Sequence, residues 1–287
     1  MSALVSTAPR TSALWLALSK NKLSWVGLGL LLLIVGTAVF APWLAPYDPL
    51  QQNIAYRLEP PSPEFWLGTD SYGRDVLSRL IYGTRISLLV GFVAILIAMA
   101  IGSSLGVLAG YIGGLFDRVV MGLVDVLLSF PTLVLGLMIA AMLGASLENL
   151  IIAIAITEIA PFVRVARAPT IALKQRDFIE AGRALGYGPL RLMGVHIVPN
   201  MISDVVVLGS LWMASAIRTE ASLSFIGLGV PPPTATWGSM IREGFENILD
   251  AWWLTVFPSL AILLTVLALN LLGDALRDAI DPKLRSE

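Results

Sequence analysis

The chain has 287 residues, 56% of them hydrophobic and only 14% charged, with a formal net charge of −1 and no cysteine. A soluble domain carries about 25% charged residues, so this composition, with a mean hydropathy of +0.81, excludes an ordinary soluble globule and points to an all-α polytopic membrane protein. The charge balance gives no sign of a nucleic-acid partner, and the lack of cysteine removes disulfides, thiolate metal sites and cysteine nucleophiles.

Residues 1–22 are comparatively polar, carry Arg10, Lys20 and Lys22, and read as an N-terminal segment outside the bilayer. Residues 23–45 form the first expected span, long enough for a hydrocarbon layer of about 30 Å. Val39-Phe40-Ala41 resembles a signal-peptidase site, but the apolar stretch is longer than a signal core and its leader is long. Residues 46–85 are more polar and rich in proline, with Pro46, Pro49, Pro60, Pro61 and Pro63. They are too few for a domain with its own large core. Near their end runs Leu67-Gly68-Thr69-Asp70-Ser71-Tyr72-Gly73-Arg74-Asp75-Val76-Leu77-Ser78-Arg79. This is a Gly/Asp turn cluster leading into a helix with charges of both signs.

Residues 86–275 read as the transmembrane core. Its second span covers 87–109, where Gly102, Gly106 and Gly110 recur every fourth residue, a spacing that lets helices approach closely. A short loop over 110–118 leads to a third span, 119–143, with Asp125 and Pro131 inside it. The fourth span, 150–165, holds Glu158 and Pro161, and a polar, basic loop occupies 164–199. Within that loop, 180–185 are mostly good helix formers. Gly186, Gly188 and Pro189 then interrupt, and a helical pattern resumes at 190–198. A fifth span, 201–216, contains Asp204. Residues 221–233 read as a glycine- and proline-broken re-entrant or interfacial segment. The sixth span, 252–272, opens on the interfacial pair Trp252 and Trp253, and 276–287 form a tail.

Six spans place both termini on one side. That side, with the loops at 110–118 and 164–197, holds 13 of the 19 basic residues, so both termini and the 164–199 loop are expected in the cytoplasm and 46–85 outside it. No lysine follows glycine, so there is no phosphate-cradling P-loop. A single histidine, His196, permits no His-Glu-x-x-His zinc motif and reads as structural. No catalytic residue, cofactor or metal site is expected. Three acids stand within the apolar spans, where they are costly. Glu158 is expected to pair with Arg118, Arg164 or Arg167. Asp125 and Asp204 stay open between that pairing and lining a polar pathway.

The 180–200 stretch resembles the EAA loop of membrane-spanning subunits of ATP-binding-cassette importers. Glu180, Ala181, Gly186 and Pro199 match that pattern. Gly182, His196 and Val198 depart from it, although the peptide-permease branch often has His-Ile-Leu-Pro-Asn where this chain has His196-Ile197-Val198-Pro199-Asn200. The run at 67–79 is similar to the GTDxxGRDxxSR signature of the permeases for dipeptides, oligopeptides, nickel and related cargo. The stretch Ala221-Ser222-Leu223-Ser224-Phe225-Ile226-Gly227-Leu228-Gly229, followed by three prolines and Trp237-Gly238, is similar to another run of that subclass, with Ala235 and Thr236 departing. The likeness runs from about Leu67 to the end of the chain.

The resemblance implies a type I importer permease with six transmembrane helices, in a bacterial inner membrane. Its implied partners are a second homologous permease forming a heterodimer, two cytoplasmic ATP-binding subunits, an extracytoplasmic solute-binding protein and membrane lipid. It places ATPase coupling on Glu180, Ala181, Arg183, Ala184, Leu185 and Gly186. It makes Gly68, Thr69, Asp70, Gly73, Arg74 and Asp75 an external gate or supporting structure, and leaves Asp125 and Asp204 as candidate pathway residues. The expected cargo is a short peptide, with nickel, glutathione, opines or oligosaccharides as alternatives. A proton-coupled secondary transporter and an intramembrane aspartyl protease are rival classes, and neither accounts for the 180–199 loop.

Overall fold

The computed structural model describes residues 22–280, and the described residues are helical with no strand ladder. Of the expected N-terminal segment 1–22 and tail 276–287, residues 1–21 and 281–287 lie outside them. Helix α1 (Lys22–Val39) is followed by a single turn, Ala41–Leu44. An irregular layer then runs to Asp75, where α2 (Val76–Ile112) begins. The chain continues through α3 (Gly114–Leu128), α4 (Thr132–Leu143), α5 (Leu147–Lys174) and the short α6 (Asp177–Ala184). Helix α7 (Pro189–Ile226) is 38 residues long, and α8 (Trp237–Glu246) and α9 (Trp253–Ile280) complete the fold. Four helices, α2, α5, α7 and α9, are long and apolar enough to cross a membrane, and α1 is a shorter apolar helix.

The expected third span is not one straight helix. Its two parts, α3 and α4, meet at 94°. Pro131 lacks a donor and its ring crowds the carbonyl four residues back. Residues 129–131 are exposed, so no packing opposes the break, and Ser129 closes the end of α3 by donating both its amide, at 3.0 Å, and its hydroxyl, at 2.7 Å, to the Asp125 carbonyl. Pro161 sits inside α5 without breaking it, because Ala160, Phe162 and Val163 beside it are fully buried and hold the helix against α2. That pair is the most extensive helix contact in the molecule. The stripe of small residues makes it close. A Cβ at Gly102 would stand 2.6 Å from the Ile159 carbonyl oxygen and one at Gly110 2.9 Å from that of Arg167, with the Val163 carbonyl as tight against Gly106.

Further boundaries differ from the pattern reading: α5 runs to Lys174, past the expected end of the fourth span at 165 and into the expected loop. The expected loop over 110–118 shrinks to the turn at Gly113 and Gly114, both at positive φ, since α2 continues to Ile112. The stretch from Ala221 is helical to Ile226 and breaks only at Gly227, φ +99°. Its small and polar residues bury against α2 and α8 and so extend α7. Pro199, expected at a helix start, lies inside α7. A wide turn over Leu192–Ile197 absorbs it by relaxing the regular ladder where proline offers no donor.

Candidate functional site

Two groups of expected residues gather at opposite ends of the long helices. At the end where α2 starts, the turn cluster forms a compact layer with α8 and the start of α9. The Asp75 carboxylate caps α2, accepting from the Ser78 amide at 2.7 Å and its hydroxyl at 2.6 Å. Asp70 accepts from the amides of Tyr72 and Arg74 at 2.8 and 3.0 Å, so its side chain closes the turn before it meets any charge. Its other oxygen takes Arg74 Nε at 2.6 Å and Arg79 Nε at 3.1 Å. Both guanidinium groups then reach Glu243 of α8, at 3.2 and 3.4 Å. Two arginines and two carboxylates thus form one closed, charge-balanced set, with Asp70, Arg74 and Arg79 buried. Burial lifts the Glu243 carboxyl above the ordinary carboxylate range. The nearby Asp70 adds to this, while Arg79 and Arg74 oppose it.

The expected glycines serve the same turn. Gly68 and Gly73 have φ +77° and +69°, values at which a Cβ is strained. The Thr69 hydroxyl bonds to the Tyr56 carbonyl and accepts from the Glu59 amide. Trp253 Nε1 donates to the Thr69 carbonyl at 3.1 Å, tying the turn to α9. The buried Trp237 of α8 donates from Nε1 to the Leu80 carbonyl of α2 at 3.3 Å. Tyr72, Arg74, Glu243 and the loop after Gly227 line a cleft of about 520 Å³, so the two widely separated signature runs meet.

At the opposite end, α6 lies across the bundle. Ile179 and Gly182 face inward and bury with Leu192 and Ile197. A Cβ at Gly182 would stand 2.9 Å from the Leu192 side chain, which explains why this position holds a residue even smaller than alanine. Glu180, Ala181, Arg183, Ala184, Leu185 and Gly186 all face outward, with Leu185 72% exposed. Gly186 has φ +80° with open space around it. His196 stacks on Tyr187 at 6.0 Å and 9°, the structural role expected of it.

The three intramembrane acids are not brought together. Asp125 pairs with Arg164 at 2.6 Å, both more than half exposed. Asp204 is exposed on α7 and joins no ion pair among the described residues. The pairing expected for Glu158 fails. Arg164 is taken by Asp125 and Arg167 by Asp117, at 2.5 Å, while Glu158 is buried beside Ser215 and Arg218 of α7. The helical period turns Glu158 toward α7 and the two arginines toward α3. Sequence reasoning also passed over Arg79 as a site residue, Glu243, and Glu220, which is fully buried and accepts from the Ser224 hydroxyl at 2.8 Å. Arg79 stood inside the quoted signature. Glu243 had no signal to separate it from Glu246 or Asp250.

Comparison with known proteins decides what this arrangement belongs to. Residues 102–286 match the family described as binding-protein-dependent transport system inner membrane component. The chain belongs to this family. Residues 11–61 also match the N-terminal TM domain of oligopeptide transport permease C, so the likeness begins well before the motif at Leu67. The chain is 46% identical to the di/tripeptide transport system permease protein DppC of Pseudomonas aeruginosa, over 95% of its own length and 92% of the relative's. It is 41% identical to the dipeptide transport system permease protein DppC of Haemophilus influenzae, over 97% of each chain. It is 46% identical to the glutathione transport system permease protein GsiD of Pectobacterium atrosepticum, over 89% of this chain and 85% of that one. The permease is therefore a transport component of an ABC importer of the inner membrane, not an enzyme.

Proposed function

We propose that this permease forms half of the translocation pathway for short peptides. Its partners are a second, homologous permease in a heterodimer, two cytoplasmic ATP-binding subunits and an extracytoplasmic solute-binding protein. One observation carries the mechanical reading. Helix α7 begins at Pro189, beside the α6 loop, and ends at Ile226, beside the cleft lined by both signature runs. A displacement applied to the exposed face of α6 passes through its buried face, Ile179 and Gly182, into Leu192 and Ile197 of α7, and reaches the far end of the bundle along one helix. Close packing makes such elements move as units rather than deform.

The cargo reading rests on the three relatives. Two are named for dipeptides or di/tripeptides and the third for glutathione, which is itself a tripeptide, so all three share a short, charged-ended peptide chemistry. In this proposal both termini and α6 lie in the cytoplasm and 46–85 with α8 outside, as the bias of basic residues supports. The six spans are α1, α2, the α3–α4 elbow, α5, α7 and α9. An ion pair as exposed as Asp125–Arg164 is costly against lipid; it faces a water-filled pathway or the partner permease, and Asp204 is assigned the same role.

The test is uptake of a labelled dipeptide by vesicles holding the reconstituted importer. Uptake requires ATP and all partner subunits, and continues when the proton gradient is collapsed. Gradient-driven uptake by this chain alone would restore the secondary-transporter reading. The chain has no cysteine, so Leu249→Cys, at a position 98% exposed, labels from outside with an impermeant thiol reagent, and Leu185→Cys does not. The reverse pattern inverts the topology.

A further inference from the structure

Beside the capping layer lies a cavity of about 840 Å³ that the transport reading does not use. The chain after α1 forms one wall, with Pro42, Tyr47 and Asp48, and α2 forms the other, with Tyr82, Arg85 and Leu89. Arg85 and Asp48 are both exposed, and neither takes part in an ion pair among the described residues. The cavity therefore offers one cation and one anion, each without a countercharge. Below Arg85, α2 exposes Leu89, Phe92 and Leu96. With Arg85 these fall at i, i+4, i+7 and i+11, a continuous stripe running about 16 Å down the helix. Across the mouth, Phe40 and Trp43 are exposed on the turn that follows α1, and tryptophan favours the bilayer interface.

We infer that this groove holds a glycerophospholipid with a zwitterionic headgroup, its phosphate on Arg85, its amine beside Asp48 and an acyl chain along Leu89, Phe92 and Leu96. A guanidinium is the side chain best suited to a phosphate. A zwitterionic peptide carries the same two charges, but gains nothing from an apolar stripe beneath the cation. A lipid tail does. The proposal rests on the topology above only in assigning the groove to the outer leaflet, and its failure leaves the uptake assay unaffected.

The test uses the assembled importer in bilayer discs of digalactosyldiacylglycerol, a bilayer lipid with neither phosphate nor amine, so that the matrix does not compete for the groove. Leu89→Cys carries a bimane label, and brominated phosphatidylethanolamine, phosphatidylglycerol or diacylglycerol is the quencher. Phosphatidylethanolamine is expected to reach half-quenching at about a tenfold lower mole fraction than diacylglycerol, the ratio set by one charged hydrogen bond, with phosphatidylglycerol between them. Asp48→Asn brings phosphatidylethanolamine to the phosphatidylglycerol value. Arg85→Gln brings both to that of diacylglycerol. Equal quenching by all three reduces the groove to ordinary lipid-facing surface and overturns the proposal. So does an absence of quenching, which means the partner permease covers it, or reversal of quenching by added dipeptide, which makes it a cargo site.

Discussion

The capping layer and the α6 loop are both turn-rich, both carry charges and both contain a glycine in the left-handed region, yet they are built in opposite ways. In the capping layer the charges are buried and closed on one another, Asp70 and Glu243 sharing Arg74 and Arg79. In the α6 loop the corresponding side chains, from Glu180 to Gly186, stand in solvent and only the inner face is anchored. A buried charge set whose members pair with one another fixes a shape, even with one Arg79 terminal nitrogen left without a partner. An exposed one is free to meet a partner. We propose from this difference that one end holds and the other receives.

Two glycines test this most sharply. Gly73 and Gly186 have nearly the same φ, +69° and +80°. A Cβ at Gly73 would overlap the Asn53 carbonyl, whereas one at Gly186 would meet nothing within 4 Å. Gly73→Ala is expected to prevent recovery of a folded subunit, because the obstacle is backbone and is itself tied to Tyr72 by a hydrogen bond of 3.1 Å. Gly186→Ala costs only the left-handed strain, about 1–2 kcal/mol, and leaves the yield of assembled importer near normal. Equal yields would erase the contrast.

Arg74→Ala is expected to have the next largest effect. It leaves two carboxylates sharing one arginine, a loss of about 3–5 kcal/mol by analogy with broken buried pairs. Thermal denaturation of the purified importer reads it as a lowered midpoint. Uptake should fall alike for every peptide the system carries if the cluster holds shape, as proposed, rather than meeting cargo. Arg74→Lys keeps the charge but loses the fork that spans Asp70 and Glu243, and should recover part of the loss. A change in peptide preference at an unchanged rate would place Arg74 in a cargo site instead.

Most of this was legible in the chain, and the failures have physical causes. Four of the expected spans, in α2, α5, α7 and α9, follow from hydropathy, and the α6 break follows from Gly186, Gly188 and Pro189, because these are local properties. The signature run pointed to the correct turn, but Glu243 lies 169 residues from Arg74 and nothing local marks it. Glu158 was misassigned although Arg164 and Arg167 follow it by six and nine residues, spacings that the helical period turns to another face of α5. Prolines act according to their surroundings. Pro131 breaks an exposed stretch that looked like one span, while the chain runs helically through Pro199, which stands in the first turn of the regular helix from Val198. Packing, which the sequence does not display, decides between those outcomes.

On the α6 side, charge is expected to matter more than backbone. Aspartate is among the residues that enter the left-handed region most readily, so Gly186→Asp should fold and assemble. It adds a carboxylate to the surface proposed to enter the ATPase. Binding-protein-stimulated ATP hydrolysis is expected to fall about tenfold, equivalent to about 1.4 kcal/mol of lost coupling. Glu180→Ala removes one solvent-exposed charge and should cost less, about 0–1 kcal/mol, or up to roughly fivefold. Wild-type hydrolysis in both variants would remove α6 from the mechanism.

The smallest expected effect is a pH dependence confined to the capping layer. Glu243 has a raised pKa in the folded state, through burial first and the Asp70 carboxylate second, against the pull of Arg79 and Arg74. The unfolded chain releases this proton near the ordinary value of about 4.3, while the folded one still holds it. Between those two values the folded state binds more protons, so stability falls as pH rises through the window. The change cannot exceed about 1.4 kcal/mol per pH unit for a single group, and the arginines keep it smaller. Glu243→Gln cannot titrate, so its denaturation midpoint should lose this slope while retaining whatever slope the rest of the importer contributes. Glu180→Gln removes no member of the charge set and should leave the slope intact. If Glu243→Gln and the wild type show the same slope, the closed charge set does not titrate as a unit with Glu243, and the contrast between the two ends loses its electrostatic basis while keeping its steric one.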